Sequence, residues 1–185
     1  QNRIGESIFN IASSNAFYSE LYALLFKTLI HKYNFMKVIF TDNLNQYLEL
    51  FNHIEYHDPE IDYEKFCDNN EINDKRKATS LFYVNLMKVG VLDDNKIIEI
   101  ILSFQTKLNT YIDKEESINE SEEISENIYI LIKNSFDCLQ IHDSWNKIHE
   151  QVEYITQLTN KSKSGISNKI IFKHMDLIDI INENN

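Results

Sequence analysis

Three side chains have the types that a metal site needs, but not a recognised spacing. His53, His57 and Cys67 could together supply imidazole and thiolate ligands to a transition metal. As a set they match no standard zinc module, and Cys67 and Cys138 lack C-x-x-C spacing. A polar surface loop explains these residues better, so the sequence predicts no metal site and no cofactor.

A second group invites a nucleophilic interpretation. Cys138 is followed by His142 and His149, which are the residue types of a thiolate nucleophile and its general base. Cys138 lies near the end of a helical pattern that closes at Leu139. Neither a Gly-rich elbow nor a helix N-terminus is present there to favour the thiolate. A buried structural cysteine is the favoured interpretation.

Phosphate cradles and paired general acids are also missing from the pattern. The 3 glycines are isolated from one another, so neither a G-x-G-x-x-G nor a G-x-x-x-x-G-K-S loop can be written. The carboxylate pairs are adjacent residues, which point about 100° apart on a helix and do not converge on one substrate. These pairs are Asp93/Asp94, Glu115/Glu116 and Glu122/Glu123. The sequence therefore predicts no enzyme.

The charge balance favours a protein partner. The chain has 29 acidic and 18 basic residues among 185, a formal net charge of -11. Such a domain would repel RNA, DNA and anionic membrane surfaces, whereas a protein with a basic face would be attracted. No apolar run reaches the ~18–20 residues that a membrane span needs. Without a signal peptide or a disulfide framework, the expected location is the cytoplasm.

The scarce basic residues fall into two groups. Lys75, Arg76 and Lys77 precede an apolar helical segment. Four lysines lie near the C-terminal helix: Lys161, Lys163, Lys169 and Lys173. Either group could contact RNA or an acidic protein surface, or could simply solvate helix ends. Because the run 114–126 carries part of the negative charge, the C-terminal lysines are expected to be free to meet a partner.

The elements that must position these residues are helices. With 3 glycines and 1 proline, the chain lacks the turn residues of most all-β folds. Apolar residues recur at helical spacing, as in the stripe Tyr18, Leu21, Tyr22, Leu25 and Leu29. Eight helical segments are predicted: 4–12, 15–32, 42–54, 77–89, 95–112, 126–139, 144–158 and 167–181.

Short connections make these helices antiparallel neighbours and predict one all-α domain over 1–185. Gly90 stands where a helix would end in a left-handed residue, and Gly165 separates the last two helices. The polar stretch 57–74 and the acidic run 114–126 are expected to be exposed loops. The favoured architecture is antiparallel helix pairs stacked as a HEAT-repeat-like α-solenoid, with a closed bundle as the alternative.

Three segments occur in the order found in one family. The last helix, SNKIIFKHMDLIDI from Ser167, resembles the closing helix of the middle domain of eukaryotic translation initiation factor 4 gamma. The family pattern there is Ser-Ser-Arg-Ile-Arg-Phe, three residues, then Asp-Leu-x-Asp-Leu. The segment 81–92, with Phe82, Leu86 and Lys88, is similar to the family's Phe-Ile-Gly-Glu-Leu-Phe-Lys-Leu helix. The segment 18–23 is similar to its aromatic-x-x-x-Tyr-Ala helix.

The resemblance implies a HEAT-repeat scaffold that docks a DEAD-box RNA helicase, initiation factor 4A, whose two lobes touch opposite ends of the array. It implies partner-surface positions for Lys88, Lys169 and Asp176, and a repeat-packing role for Tyr22 within the same binding domain. Two alternatives stay open: Tyr22 as a core aromatic, and Asp176 as a carboxylate bonded to a neighbouring repeat. A cap-binding protein would be bound through regions outside this segment.

The chain also departs from the family pattern. Val84-Asn85 replaces Gly-Glu, Ile171 replaces the second Arg, and Lys169 keeps the charge of the first Arg without its bidentate fork. Related domains in mRNA processing and decay bind other proteins, and some bind RNA directly; at a net charge of -11, RNA binding is expected to be weak. Heavy use of Asn and Ile is typical of an AT-rich genome, as in a protist or a large DNA virus.

Overall fold

The all-α class is confirmed. The computed structural model describes residues 2–184, which form eight α-helices, one short 3-10 turn at Glu115–Ser117 and no strand. The helices are α1 (Asn2–Ser14), α2 (Ser19–Lys32), α3 (Phe35–Glu49), α4 (Tyr63–Lys88), α5 (Asp94–Tyr111), α6 (Ile118–Leu139), α7 (Trp145–Thr156) and α8 (Asn168–Glu183). In the part of the chain so described, none of the helices combines the length and apolar character that a bilayer crossing requires.

The helices divide into two compact units, and the division falls between Asp93 and Asp94. In the first unit, α1 packs against α2, α3 and α4, and α2 packs against both α3 and α4. The centre of this unit is aromatic because Phe9 lies edge-on to Phe26 and Phe82, at ring-centroid distances of 5.5 and 5.7 Å. Such edge-to-face pairs add to the stabilisation that burial alone provides.

The apolar stripe that indicated α2 does not face this core. Ala23 and Phe26 are fully buried, whereas Tyr18, Leu21 and Leu25 are exposed. The apolar residues of α2 extend around much of the helix, so the periodicity did not distinguish the face that packs from the face that meets solvent.

In the second unit the packing is between neighbours in sequence and between alternate helices. The helix α5 packs against α6, α7 packs against α8, and the alternate pairs α5–α7 and α6–α8 are also in contact. The core is aliphatic and includes the fully buried Ile97, Ile101, Ile124, Ile128, Leu131, Ile148, Val152, Ile170 and Leu177. Two side-chain bonds connect α5 to α7: Gln105 Nε2 donates to the Ile148 carbonyl at 3.0 Å, and Asn109 Nδ2 donates to Gln151 Oε1 at 2.6 Å.

Local signals set several helix ends. Gly90 has φ of 76° and follows α4, as predicted, in a Schellman arrangement: its N–H donates to the Met87 carbonyl, and the Val91 N–H donates to the Leu86 carbonyl. The Ser167 side chain caps α8 by accepting from the Ile170 N–H. These caps satisfy backbone groups that the helix itself leaves unpaired.

Both expected exposed loops are shorter than predicted. The stretch 57–74 is irregular only up to Asp62, which caps α4 by accepting from the Lys65 N–H at 3.1 Å. The run 114–126 enters α6 at Ile118, and Ser121, Glu123 and Ile124 are buried there. Glu is a strong helix former, and the small Ser side chains allow close packing, so an acidic Ser/Glu run can be a packed helix.

Candidate protein-binding surfaces

The four predicted partner residues lie in different units. Tyr22 and Lys88 belong to the first unit, and Lys169 and Asp176 lie on α8 of the second. Lys169 and Asp176 are seven residues apart, which places them on the same side of α8 about 10 Å from each other along the helix. This second pair therefore lies on one helix face of a single unit.

In the first unit, Tyr22 contacts a neighbouring exposed ring and Lys88 faces solvent. Tyr22 is half-buried, and its ring lies edge-on to that of Tyr18 at 6.4 Å. Lys88 is the exposed last residue of α4, where a cation interacts favourably with the helix dipole. Asn85, which stands where the family has Glu, is buried and donates to Ser19 Oγ at 2.9 Å, so it connects α4 to α2.

Three of the four C-terminal lysines, Lys163, Lys169 and Lys173, form ion pairs, contrary to the expectation that they would be free. Lys169 Nζ lies 3.3 Å from Glu122 Oε2 and 3.9 Å from Glu126 Oε1. Lys173 Nζ lies 3.4 Å from Glu126 Oε2 and 4.4 Å from the centre of the Tyr129 ring. The acidic run forms the start of α6, and α6 packs against α8, so these opposite charges meet within the unit. Lys169 is therefore exposed, but it is paired with carboxylates of its own unit.

Asp176 is exposed and, within residues 2–184, has no hydrogen bond or ion pair. The alternative of an internal bond to a neighbouring repeat is therefore not what the structure shows. Asp176 belongs to an acidic and apolar surface, here termed the α8 outer face, which comprises Phe172, Met175, Asp176, Asp179 and Glu183. Phe172 is 60% exposed and Met175 is 42% exposed, while Ile170, His174 and Leu177 on the opposite side are buried.

The chemistry of the α8 outer face specifies what can bind there. It presents an exposed ring and a thioether between three exposed carboxylates. A complementary surface would place an apolar contact over Phe172 and cations beside Asp176 and Asp179.

The predicted basic cluster at 75–77 is mostly structural. Arg76 is buried and caps the C-terminal end of α3, where its Nε and Nη2 donate to the Leu50 carbonyl at 3.2 and 3.0 Å. Lys77 Nζ pairs with Asp74 Oδ1 at 2.7 Å. Lys75 is exposed, whereas Arg76 is buried and Lys77 is half-buried, so these three residues do not form a basic surface.

The residues considered for a metal site are dispersed. His53 Nε2 lies 3.1 Å from Glu55 Oε1, and His57 Nε2 lies 3.5 Å from Glu55 Oε2. Hydrogen bonds from His57 and then His53 lower the pKa of the Glu55 carboxyl. Cys67 instead contacts Tyr63, and its hydrogen bond there raises the pKa of the Tyr63 hydroxyl. In the described part of the chain, no three His, Cys, Asp or Glu side chains converge on one metal position.

The histidines near Cys138 have other partners. His142 Nε2 donates to Asn95 Oδ1 at 3.0 Å, and its Nδ1 accepts from the Ser144 N–H at 3.0 Å. His149 stacks on Trp145, with the ring centroids 5.6 Å apart. Both imidazoles are engaged with groups other than the Cys138 thiol, so the arrangement that a thiolate nucleophile requires is not assembled.

A second surface, on and immediately before α2, was not predicted from the sequence. The α2 outer face, defined here as Phe17, Tyr18, Leu21, Leu24 and Leu25, consists of large apolar side chains that are 46% to 87% exposed. At 100° per residue, Leu21, Leu24 and Leu25 share one side of α2, and Phe17 and Tyr18 immediately precede the helix. Their combined exposed area is on the order of 500 Å², which is as large as the largest apolar patch of a typical monomer. The available sequence signal was that α2 is apolar on more than one side.

Comparison with protein-family models, curated proteins and solved structures finds no match to this chain.

Proposed function

We propose that this chain is a non-enzymatic scaffold of translation initiation that binds and stimulates a DEAD-box RNA helicase of the initiation factor 4A type in the cytoplasm. The observation that carries the proposal is the α8 outer face. It lies within the segment that resembles the initiation factor 4 gamma family, and its exposed Phe172, Asp176 and Asp179 form a surface suited to a basic protein.

The order of packing supports a stacked array. In the second unit, sequential helices pair and alternate helices stack, which is the contact pattern that consecutive helix pairs of a solenoid produce. The first unit has the same alternate contacts, α1 with α3 and α2 with α4. In this proposal, each unit is built from stacked helix pairs of the HEAT-repeat type.

The charge of the chain supports a helicase as the partner. A helicase must bind the phosphate backbone of RNA, and proteins that do so have basic surfaces. A chain with a formal net charge of -11 would attract such a protein over several ångströms before contact. The exposed side chains of the α8 outer face would then provide short-range contacts in the complex.

The scaffold would act through differential binding. A partner with two lobes that open and close is shifted toward the arrangement to which the scaffold binds more tightly. The effect on ATP hydrolysis is thus a coupling free energy and requires no catalytic group in this chain. A cap-binding protein would join the complex through regions outside this segment.

A binding titration with purified helicase tests the proposal. The chain would be immobilised and titrated with the helicase. The dissociation constant of this complex would be compared with that of the complex formed by the double variant Asp176→Lys/Asp179→Lys. Both side chains are exposed, and Lys is a good helix former, so the variant should keep its fold. We expect binding to weaken roughly 10- to 100-fold because two favourable charge contacts become repulsive.

A matched control separates a local contact from overall charge. The double variant Glu64→Lys/Asp68→Lys makes the same change in net charge at two exposed positions of α4. Its affinity should stay within about threefold of the original, since only the long-range attraction changes. The helicase proposal is wrong if the unmodified chain does not bind. The assignment of the surface is wrong if both variants weaken binding equally.

Direct RNA binding is the second candidate, and the described contacts disfavour it. Lys169, Lys173 and Arg76, which were candidates for a basic patch, are engaged with Glu122, Glu126 and backbone carbonyls. A gel-shift experiment at low salt should therefore show no complex with single-stranded RNA. A shift that disappears with increasing salt would favour RNA instead.

A further inference from the structure

The outer side of α2 differs in charge from the chain as a whole. Within the helix it has one carboxylate, Glu20 in the first turn, and three basic side chains toward the other end: Lys27, His31 and Lys32. The α2 outer face lies between them and is apolar. Contact through this surface avoids the concentration of negative charge that most of a chain with a formal net charge of -11 would bring together.

The area of the α2 outer face suits a small symmetric interface. Two copies packed through it would cover about 1,000 Å² of side-chain surface, before neighbouring groups are counted. Specific interfaces begin near 1,200 Å² in total, so flanking groups such as Lys27 need to contribute only a modest part. Three leucines of α2, with Phe17 and Tyr18 immediately before it, also provide the central apolar cluster that most interfaces have.

The distribution of charge along α2 favours an antiparallel arrangement. Glu20 and Lys27 are seven residues apart, so they lie along the same edge of the helix, beside the apolar residues. A two-fold axis that passes beside Leu24 relates the two copies and sets Glu20 of each copy against Lys27 of the other. A parallel arrangement would not form these pairs, because Glu20 of one copy and Lys27 of the other would lie about 10 Å apart along the helices and on opposite edges.

We infer that the α2 outer face is a homodimer interface, formed by antiparallel packing of α2 from two copies. Leu24 lies near the two-fold axis, Leu21 packs against Leu25 of the other copy, and two Glu20–Lys27 pairs flank the apolar contact. The interface is isologous, so the same surface serves both copies and association stops at two. This inference does not depend on the helicase, because it concerns a different unit and a different surface.

Sedimentation velocity of the full chain tests the inference. Between 1 and 300 µM protein, we expect a reversible monomer–dimer equilibrium with a dissociation constant on the order of 10–100 µM, as expected for an interface near the lower limit of area. Dimer formation should be stronger in 0.5 M than in 0.05 M salt, because two chains with large negative charge repel each other and salt screens that repulsion.

Three variants define the surface. Leu24→Glu should be monomeric at every concentration, and its helical circular dichroism should be unchanged because the side chain is 53% exposed. Ile141→Glu, at an 84% exposed position in the second unit, should dimerise as the original does. Glu20→Lys should weaken the dimer about tenfold, and Glu20→Lys/Lys27→Glu should restore it, since the charge pair is reversed intact.

Each other outcome overturns the inference. If the chain is monomeric at 300 µM in both salt concentrations, the α2 outer face is not a homodimer interface and a different protein would bind there. Assemblies larger than a dimer would contradict a closed two-fold contact. A dimer that survives Leu24→Glu, or that Glu20→Lys/Lys27→Glu does not restore, would place the contact elsewhere on the chain.

Discussion

The hydroxyl group of Tyr83 is buried in the first unit and has no hydrogen-bond partner among residues 2–184. Burial raises the pKa of this hydroxyl well above its usual range. Tyr47, a neighbouring buried tyrosine, instead shares a 2.6 Å hydrogen bond with Ser80 Oγ. The two phenols therefore make opposite contributions, since an unpaired buried polar group costs free energy and a paired one does not.

Removal of each hydroxyl provides a matched comparison. Tyr83→Phe should leave the free energy of unfolding unchanged or raise it by up to about 1 kcal/mol, because it removes a buried polar group without a partner. Tyr47→Phe should lower it by about 1 kcal/mol, because Ser80 loses a hydrogen bond. Urea unfolding followed by circular dichroism measures both. A larger loss for Tyr83→Phe than for Tyr47→Phe would contradict this account.

His174 is a buried residue of α8 whose stability contribution depends on pH. Burial lowers its pKa from 6.5 to about 4, although the hydrogen bond of Nδ1 to the Ile170 carbonyl, 2.9 Å long, opposes this shift. Between pH 4 and 6.5 the unfolded chain binds a proton at this site and the folded chain does not. The contribution is therefore present in full above pH 6.5 and is lost as the pH falls toward 4.

A pH series of unfolding experiments tests this assignment. The free energy of unfolding should fall by at most about 1.4 kcal/mol per pH unit, and by roughly 3 kcal/mol in all, as the pH decreases through the window. Trp145 is the single tryptophan and lies in the second unit, so its fluorescence follows the unit that contains His174. His174→Gln should flatten the dependence between pH 6.5 and 5. The exposed control His31→Gln should leave it intact. If the free energy of unfolding depends on pH in the same way for His174→Gln and for the original chain, the assignment to His174 is wrong.

The exposure of Asp176 could be predicted from the sequence, whereas the ion pairs of Lys169 could not. The exposure of Asp176 follows from helical periodicity, because Leu177 and His174 beside it are buried. The pairing of Lys169 depends on which helix packs against α8, and one-dimensional spacing does not contain that information. The carboxylates 47 and 43 residues earlier are near only because α6 and α8 are in contact.

Two glycines that lie between helices are required for different structural reasons. A Cβ at Gly165 would overlap the carbonyl oxygens of Tyr111 and Lys114, and the Gly165 N–H donates to the Ile112 carbonyl at 2.9 Å. The chain before α8 thus rests directly on the end of α5. Gly90 has open space around its missing side chain, and its positive φ is the feature that requires glycine.

Alanine at each glycine separates overlap from backbone strain. Gly165→Ala should lower the free energy of unfolding by about 2–3 kcal/mol, since backbone atoms have to move apart. Gly90→Ala should cost about 1 kcal/mol, the cost of a left-handed conformation for a residue with a side chain. Trp145 fluorescence measures the first variant, and circular dichroism measures the second. If Gly165→Ala loses no more stability than Gly90→Ala, the backbone at the end of α5 can move to accommodate a Cβ, which would contradict this interpretation.

The existence and order of the helices were predictable, whereas some of their limits and faces were not. All eight segments were visible as apolar periodicity. The first two turns of α6 could not be predicted from apolar periodicity, because their buried residues include the polar Ser121, Glu123 and Ser125. The orientation of α2 was also hidden, since the fully buried Ala23 and Phe26 and the exposed Leu21 and Leu24 are equally apolar.

For the whole molecule, charge separates the two proposed associations. The helicase complex joins a chain of formal net charge -11 to a basic partner, so its affinity should fall as salt rises from 0.05 to 0.5 M. The homodimer joins two negative chains, so its affinity should rise over the same range. Binding titrations and sedimentation in the same buffers measure both trends. Two affinities that change in the same direction would contradict one of the two assignments.

The proposed function is that of a scaffold that stimulates a helicase through the α8 outer face. The most direct measurement is the ATPase rate of a purified initiation factor 4A-type helicase, at saturating RNA and ATP, as the chain is added. The rate should rise several-fold and saturate, and Asp176→Lys/Asp179→Lys should shift the half-maximal concentration roughly 10- to 100-fold higher. A rate that does not change at any concentration of the chain, or one that both forms stimulate equally, would contradict the claim.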